Sequence, residues 1–523
     1  MMNNDKICST DDELSTDDEF EYVETEQLDD IIQTSQRQYR PGDNAKSTKN
    51  QLDESKEFFD KYADKYLEFT DNNPTTFHVI DYFKRLLEEH GFKYIPEGAA
   101  ISEEISKRIR EGGLFFSVRS DLSIVGFVVG GKWDAGSGIG VIGSHVDSLS
   151  IKLKPVSKHK AINGFNMLGV AGYSSTLTEL CLDRDFGIGG TILVKNGDGK
   201  MTRKLVNSTP HPIAKIPKLA EHFGEIADKK YNQETQMVPI IGYGQNEDEP
   251  SEVEKKSPLY GKHSLELLRY ISKISETPVD RIIGLDLELF DVQSATRGGL
   301  CKEFIFAPRI DDRLCSFAAV YSLIEYSKTF NEDFGEYDDF NAVLLVDNEE
   351  IGSGTRTGAK GKFLNAVLDR VIAIRGEKSP AANLAFANSV ILSADVTHAL
   401  NPNFKEAYLK DHYPLPNKGL TIKVDPNGHV MTDTIGQVLL GDIARKENQQ
   451  LQTFHIRNDG RSGSTIGPAL ACDTGARVID VGLPQLSMHS IRAMCGFKEV
   501  GLGVNIFKSF FKHWRKSYDE IDY

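Results

Sequence analysis

Two adjacent glutamates, Glu349 and Glu350, follow the apolar run Ala342-Val343-Leu344-Leu345-Val346. Five apolar residues in succession suit a strand buried on both faces, as in a parallel sheet. Open α/β sheets gather ligands and catalytic loops at the carboxyl ends of such strands. In that position Glu350 reads as a metal ligand and Glu349 as a general base. Taken alone, Asp347-Asn348-Glu349-Glu350 would equally suit a solvated acidic turn opening a helix. Four other stretches tilt the balance. Gly138–Gly143 delivers His145 and Asp147, and Phe304–Ala307 runs into Asp311. Val390–Ala394 ends at Asp395, and Val478–Val481 leads to His489. As neighbouring strands of one sheet, these five runs would bring their tips to one edge.

Imidazole and carboxylate groups with no cysteine beside them make a nitrogen and oxygen site suited to zinc. Two histidines and three carboxylates exceed what one tetrahedral zinc with an open position needs. They suit two metals about 3.5–4 Å apart that share a bridging carboxylate. Carboxylates drawn so close would repel one another unless cations sat between them. A serine hydrolase is disfavoured, because no Gly-x-Ser-x-Gly elbow is found.

The elements that must position these groups are read from the rest of the chain. With 523 residues, 39% of them hydrophobic, two domains are expected. Residues 1–30 carry 12 acidic residues against one lysine, so −11 of the formal −16 lies there and −5 on the remainder. The folded part is only mildly acidic, with no basic stripe for nucleic acid. The six cysteines lie far apart and form no Cys-x-x-Cys pair, which argues for synthesis in a reducing compartment. No run approaches the ~18 apolar residues of a membrane span, so a protein made in the cytosol without membrane insertion is expected.

Residues 1–56 read as an acidic, disordered extension, with only Leu28, Ile31 and Ile32 suggesting a helical face. Within it Phe20-Glu21-Tyr22-Val23 follows an acidic run. That pattern resembles the short motif by which autophagy cargo adds a strand to a ubiquitin-like autophagy protein. Phe77, Ile80, Phe83 and Leu87 mark a helix ending at Gly91, with His78 a core or capped histidine. Leu122–Val129 alternates weakly, as an antiparallel strand would. Residues 57–149 and 300–523 form the two parts of one catalytic domain. Residues 150–299, with a turn at Asn196–Gly199, an acidic loop at Glu247–Pro250 and a helix around Leu265–Ile274, form an inserted β-rich domain. Val504, Phe507, Phe511, Trp514 and Tyr518 place a packed helix near the end. The expected class is α/β: a mixed sheet flanked by helices, with the insertion for dimerisation.

From about residue 57 onward the chain resembles the family of dinuclear-zinc aminopeptidases that embraces the fungal vacuolar and the aspartyl enzymes. The likeness rests on Gly143-Ser144-His145-Val146-Asp147-Ser148, Phe306-Ala307-Pro308-Arg309-Ile310-Asp311-Asp312 and Asp347-Asn348-Glu349-Glu350-Ile351-Gly352-Ser353. It extends to Gly463-Ser464-Thr465-Ile466-Gly467-Pro468 and Met488-His489-Ser490-Ile491-Arg492. Ile151–Ser157 and Arg313-Leu314 are more similar to the vacuolar branch.

The resemblance implies one zinc on His145, Asp311 and Asp395 and a second on Asp311, Glu350 and His489. Asp147 would orient His145, and Glu349 would shuttle the proton. It implies peptide substrates, with Gly463 and Thr465 beside them, and a twelve-subunit shell built from dimers. In that shell the insertion would lend a histidine, best matched by His222, to a neighbouring site. It also implies delivery to the vacuole lumen by an autophagy-like route, although the acidic extension departs from the relatives' amphipathic propeptide. Lys418 sits where acid-preferring relatives carry a lysine, whereas the overall likeness favours neutral residues such as leucine. The alternatives are an aspartyl aminopeptidase and, from another class, a non-catalytic autophagy cargo or shell protein.

Overall fold

The computed structural model describes residues 45–174, 176–244, 249–330, 333–377 and 380–521. Phe20–Val23, the face of Leu28, Ile31 and Ile32, and the acidic pair Glu247-Asp248 lie outside the described residues. By contacts the chain divides into units 1–57 and 58–523. Every strand among the described residues belongs to the second unit.

A nine-stranded mixed sheet carries the apolar runs. Its order is Lys93–Tyr94, Gly112–Arg119, Ser123–Gly130, Phe340–Val346, Gly140–His145, Val390–Ala394, Arg477–Gly482, Thr421–Lys423 and Gln452–Phe454. The four adjacent strands Phe340–Val346, Gly140–His145, Val390–Ala394 and Arg477–Gly482 are mutually parallel. Every residue of Phe340–Val346 is buried. Its alternate side chains enter two cores, Val343 and Leu345 on one face and Ala342 and Leu344 on the other, as the two-residue period of a strand requires. Helices Thr76–Glu89, Ile310–Ser327 and Glu499–Asp519 supply the first core, and Phe363–Arg375 and Gly467–Thr474 the second.

Ser123–Gly130 pairs antiparallel with both its neighbours. It is nonetheless buried throughout, so its weak alternation does not mark a solvated face. The helix from Phe77 and the terminal helix stand where the periodicity places them. His78 is a core histidine, with its Nδ1 2.8 Å from Thr75 Oγ1.

Residues 150–291 contribute a six-stranded, wholly antiparallel sheet. Its order is Met201–Asn207, Phe186–Lys195, Ile282–Asp291, Ser150–Lys158, Phe165–Tyr173 and Ile240–Tyr243. Helix Leu265–Ser275 packs on it through Leu267, Leu268 and Ile271 in a third core.

A five-stranded sheet joins Thr296–Gly298, Phe304–Ala307, Ala493–Gly496, Pro484–Leu486 and Thr397–His398. Two expectations are corrected here. Phe304–Ala307 belongs to this small sheet, and its burial alternates, so its apolar run is not the mark of a two-sided strand. His489 does not end the Arg477–Gly482 strand. The chain first adds Pro484–Leu486, and His489 stands in the turn before Ala493–Gly496.

Candidate active site

Three of the five tips meet because parallel neighbours end on the same edge. Gly140–His145 brings His145, Phe340–Val346 is followed by Glu349 and Glu350, and Val390–Ala394 is followed by Asp395. The other two arrive differently. Asp311 lies in the first turn of helix Ile310–Ser327, and His489 lies in the turn of the small sheet.

His145 Nε2 is 3.2 Å from Asp311 Oδ1 and 3.7 Å from Asp395 Oδ1. His489 Nε2 is 3.4 Å from Asp311 Oδ2 and 3.8 Å from Glu350 Oε2. Two triads result, His145–Asp311–Asp395 and Asp311–Glu350–His489, each offering ligand atoms within 4.8 Å of one another. Asp311 is common to both, one carboxylate oxygen facing each histidine. His145 is fully buried, whereas the His489 side chain is 60% exposed, so the second triad is open to solvent on one side.

Asp147 ties the strands together. Its Oδ1 accepts the Glu349 N–H and its Oδ2 the Glu350 N–H, both at 3.1 Å. His145 Nδ1 lies 3.4 Å from Asp147 Oδ1, and Tyr173 donates to Oδ2 at 2.8 Å. Beneath them Asp312 is completely buried. It accepts Ser144 Oγ–H at 2.6 Å and the Val396 N–H at 3.1 Å, linking the helix that carries Asp311 to strand Gly140–His145 and to the segment after Val390–Ala394.

Electrostatics tests whether this arrangement suits cations. Burial first, then the Asp311 charge, pushes Glu350 up to about 9. Burial with the Asp395, Asp147 and Asp311 charges pushes Glu349 up to about 7, against the nearby His145. Despite burial, Asp147, Asp311 and Asp395 hold the His145 imidazolium above its ordinary range. Oε1 of Glu350 is buried without a hydrogen-bond partner, a costly state for a carboxylate oxygen. Crowded carboxylates, an orphaned oxygen and two imidazoles form a donor set that divalent zinc satisfies.

A cavity of about 90 Å³ adjoins the first triad. Asp395, His398, Lys423, Phe454, Gly463 and Thr465 are among the residues lining it. Lys423 is buried, and its Nζ lies 3.5 Å from Asp395 Oδ2. Gly463 and Thr465 therefore stand beside the cluster, and Thr465 is held by a 2.5 Å bond to Asp480. Lys418 does not. It is exposed, in the turn before Thr421–Lys423, and does not line this cavity, whereas Lys423 and Arg461 do. His222 is exposed in the turn Glu221–Phe223 and is likewise not brought to the cluster of its own chain.

Three contributors escape a reading of the sequence: Lys423, Tyr173 and Asp312. A lysine between Ile422 and Val424 is a legible signal for a buried cation, because charge inside an apolar strand needs a partner. Tyr173, among strand residues of a different sheet, gives none.

Comparison with known proteins fits this site. Residues 69–511 match the family model described as aminopeptidase I zinc metalloprotease (M18). Vacuolar aminopeptidase 1 of Saccharomyces cerevisiae is 49% identical over 468 residues, covering 88% of this chain and 90% of that protein. Aspartyl aminopeptidase of Aspergillus oryzae is 36% identical, covering 86% and 95%. The structure of the S. cerevisiae mApe1 dodecamer superposes with a TM-score of 0.79 at 46% identity, covering 88% of this chain and 98% of its own. The cryo-EM structure of the Ape4 and Nbr1 complex gives 0.83 at 33%, covering 89% and 88%. The chain belongs to the aminopeptidase I (M18) family of zinc metalloproteases and is a zinc-dependent aminopeptidase.

Proposed function

We propose that this aminopeptidase holds two zinc ions, one on His145, Asp311 and Asp395 and one on Asp311, Glu350 and His489, with Asp311 between them. The observation that carries this is the pair of triads meeting at the two oxygens of Asp311. Bound zinc supplies Lewis-acid polarisation of the scissile carbonyl and makes water acidic enough to react near neutral pH. Glu349 takes the proton from the attacking water and hands it to the leaving amine nitrogen. Asp147 fixes Glu349 through the backbone N–H and steadies His145. Requirement for a free α-amine is tested with paired peptides. N-terminally free peptides should be cleaved and N-acetylated ones untouched, while equal cleavage of both would overturn the exopeptidase assignment.

Neutral N-terminal residues such as leucine are the proposed substrates. In the cavity beside Asp395 the Lys423 charge is already engaged by Asp395, and the lining mixes apolar residues such as Val396, Val430, Phe454 and Met488 with His398, Arg461 and Thr465. A lysine whose charge is already paired, beside an apolar part of the wall, favours uncharged side chains. The same lysine motivates the second reading, an Asp- or Glu-preferring enzyme, in which the substrate carboxylate competes for that ammonium. Rates on Leu- and Asp-terminated peptides separate the two.

We further propose that residues 150–299 act as a dimerisation insertion within the catalytic parts 57–149 and 300–523. Dimers would assemble into a dodecamer, as in the S. cerevisiae structure, with His222 reaching a neighbouring subunit's site. The exposure of His222, Phe223 and Ile226 supports this. Residence in the vacuole, and engagement of an autophagy receptor through Phe20–Val23, are proposed by analogy with vacuolar aminopeptidase 1 and with the Ape4–Nbr1 complex. Among the described residues no helix is long and apolar enough to cross a membrane.

A further inference from the structure

Tyr173 belongs to the antiparallel sheet, yet its hydroxyl ends at the catalytic cluster. Strand Ser150–Lys158 pairs with Phe165–Tyr173 in a register that sets Ser150 opposite Tyr173. The phenol is thereby carried back to Asp147, three residues before Ser150. Its O–H donates to Asp147 Oδ2 at 2.8 Å and accepts from Asn348 Nδ2 at 2.8 Å. Asn348 is held in turn, with Oδ1 accepting from Thr355 Oγ1 at 2.7 Å and from Thr357 Oγ1 at 3.3 Å. Asn348 sits at φ 61° and ψ 26°, a left-handed conformation that asparagine tolerates better than most residues. The backbone turn that aims Glu349 and Glu350 thus also aims the Asn348 amide at the phenol.

We infer that Tyr173 and Asn348 are positioning residues. They fix the Asp147 carboxylate, and through it the backbone of Glu349 and Glu350 and the ring of His145. This rests on the roles proposed for Asp147 and Glu349. Asp147 has two oxygens serving two backbone N–H groups and one imidazole, and it belongs to one strand end while serving another. A carboxylate with such divided duties needs a donor that chooses its rotamer, and Tyr173 is the one side-chain hydroxyl donating to it among the described hydrogen bonds. Lys152 stands over the Tyr173 ring, 5.5 Å from its centroid, and bonds to Glu288, which steadies the ring from the antiparallel sheet. A cavity of about 220 Å³ is lined by Asp147, Lys152, Tyr173 and Asn348. Water can therefore replace a missing phenol oxygen as a donor, but it will not hold the carboxylate in one orientation. The consequence is loss of geometry rather than loss of a hydrogen bond. The sheet of residues 150–291 hence reports directly into the reacting centre of its own chain.

The test uses the full chain loaded with zinc, well below its melting temperature. Tyr173→Phe keeps the ring and removes only the hydroxyl; Asn348→Gly can still take the left-handed backbone and removes the amide, while loosening the turn. Each should lower kcat about tenfold with KM within about twofold, and should speed zinc release to a chelator about tenfold, as loss of a partner behind a ligand does. The double variant should be no slower than the slower single variant, because both act through one chain of bonds. Parental kcat and parental zinc release in Tyr173→Phe would overturn the inference. So would an effect on KM alone, or losses in the two variants that add in full. Glu349→Gln is run beside them. If it stays active the site assignment itself fails, whereas an inert Glu349→Gln with a parental Tyr173→Phe removes only the positioning role.

Discussion

The nine-stranded and six-stranded sheets lie in one chain and treat their side chains in opposite ways. In the first, four adjacent parallel strands are buried on both faces; the polar groups within them, such as Asp480 and Ser144, are held by hydrogen bonds, and ligand-type residues collect where the strands stop. His145, Glu349, Glu350 and Asp395 all come from such ends. In the second, every pairing is antiparallel, so strand ends alternate between two edges and no edge gathers ligands. That sheet instead exposes large side chains, among them Val156, Phe165, Leu193, Met201 and Tyr243, and among the described residues sends the Tyr173 hydroxyl to the cluster. Direction of pairing, more than composition, separates the region that gathers the ligand-type residues from the region that supports them.

The contrast breaks most visibly at its reactive edge. Glu349→Gln should cut kcat by about three orders of magnitude, within the reach of general-base catalysis, while zinc content and assembly stay parental by elemental analysis and light scattering. His489→Ala should lower bound metal from two ions per chain to one; two ions retained would remove His489 from the ligand set. A cavity in either core should cost similar stability. Leu392→Ala under the parallel sheet and Leu268→Ala under the antiparallel one each remove a fully buried side chain, for about 2–5 kcal/mol. Because residues 58–523 form one unit by contacts, both should lower a single melting transition in calorimetry. Two separable transitions would instead make the sheets independent.

A further effect concerns pH. Burial holds the His78 imidazole down at about 4, against an ordinary value of 6.5. The unfolded chain therefore takes up this proton first as the solution is acidified. The associated stability is complete above about pH 6.5 and is lost as pH falls through 4, amounting to about 3 kcal/mol. His78→Gln should flatten that part of the denaturation midpoint against pH; an unchanged profile would assign acid sensitivity elsewhere.

Much of this is written locally in the chain. The apolar run before Glu349 suits only a two-sided strand or a buried helix, and its length and β-branched content choose the strand. Residue type and the apolar runs before them point to the residues of both triads, although only His145, Glu350 and Asp395 follow strands of the nine-stranded sheet. Two of the routes to the cluster are not legible in this way. Phe304–Ala307 is apolar throughout and Val478–Val481 is apolar but for Asp480, and which sheet each joins depends on distant partners, Ala493–Gly496 for the first and Val390–Ala394 for the second. Lys418 stands out over Lys423 in the sequence because it matches a lysine position of acid-preferring relatives, while burial beside Asp395 cannot be read there.

By itself the sequence offered the groups proposed to react, since ligand chemistry depends on residue type and, for His145, Glu349, Glu350 and Asp395, on a place at the end of a strand. Tertiary structure alone decided how they are held: that Asp311 arrives on a helix, that Asp147 braces two glutamate N–H groups, and that a tyrosine from another sheet braces Asp147. Hydrogen bonds between distant segments depend on strand register and sheet order, and neither is encoded in any window short enough to read along the chain.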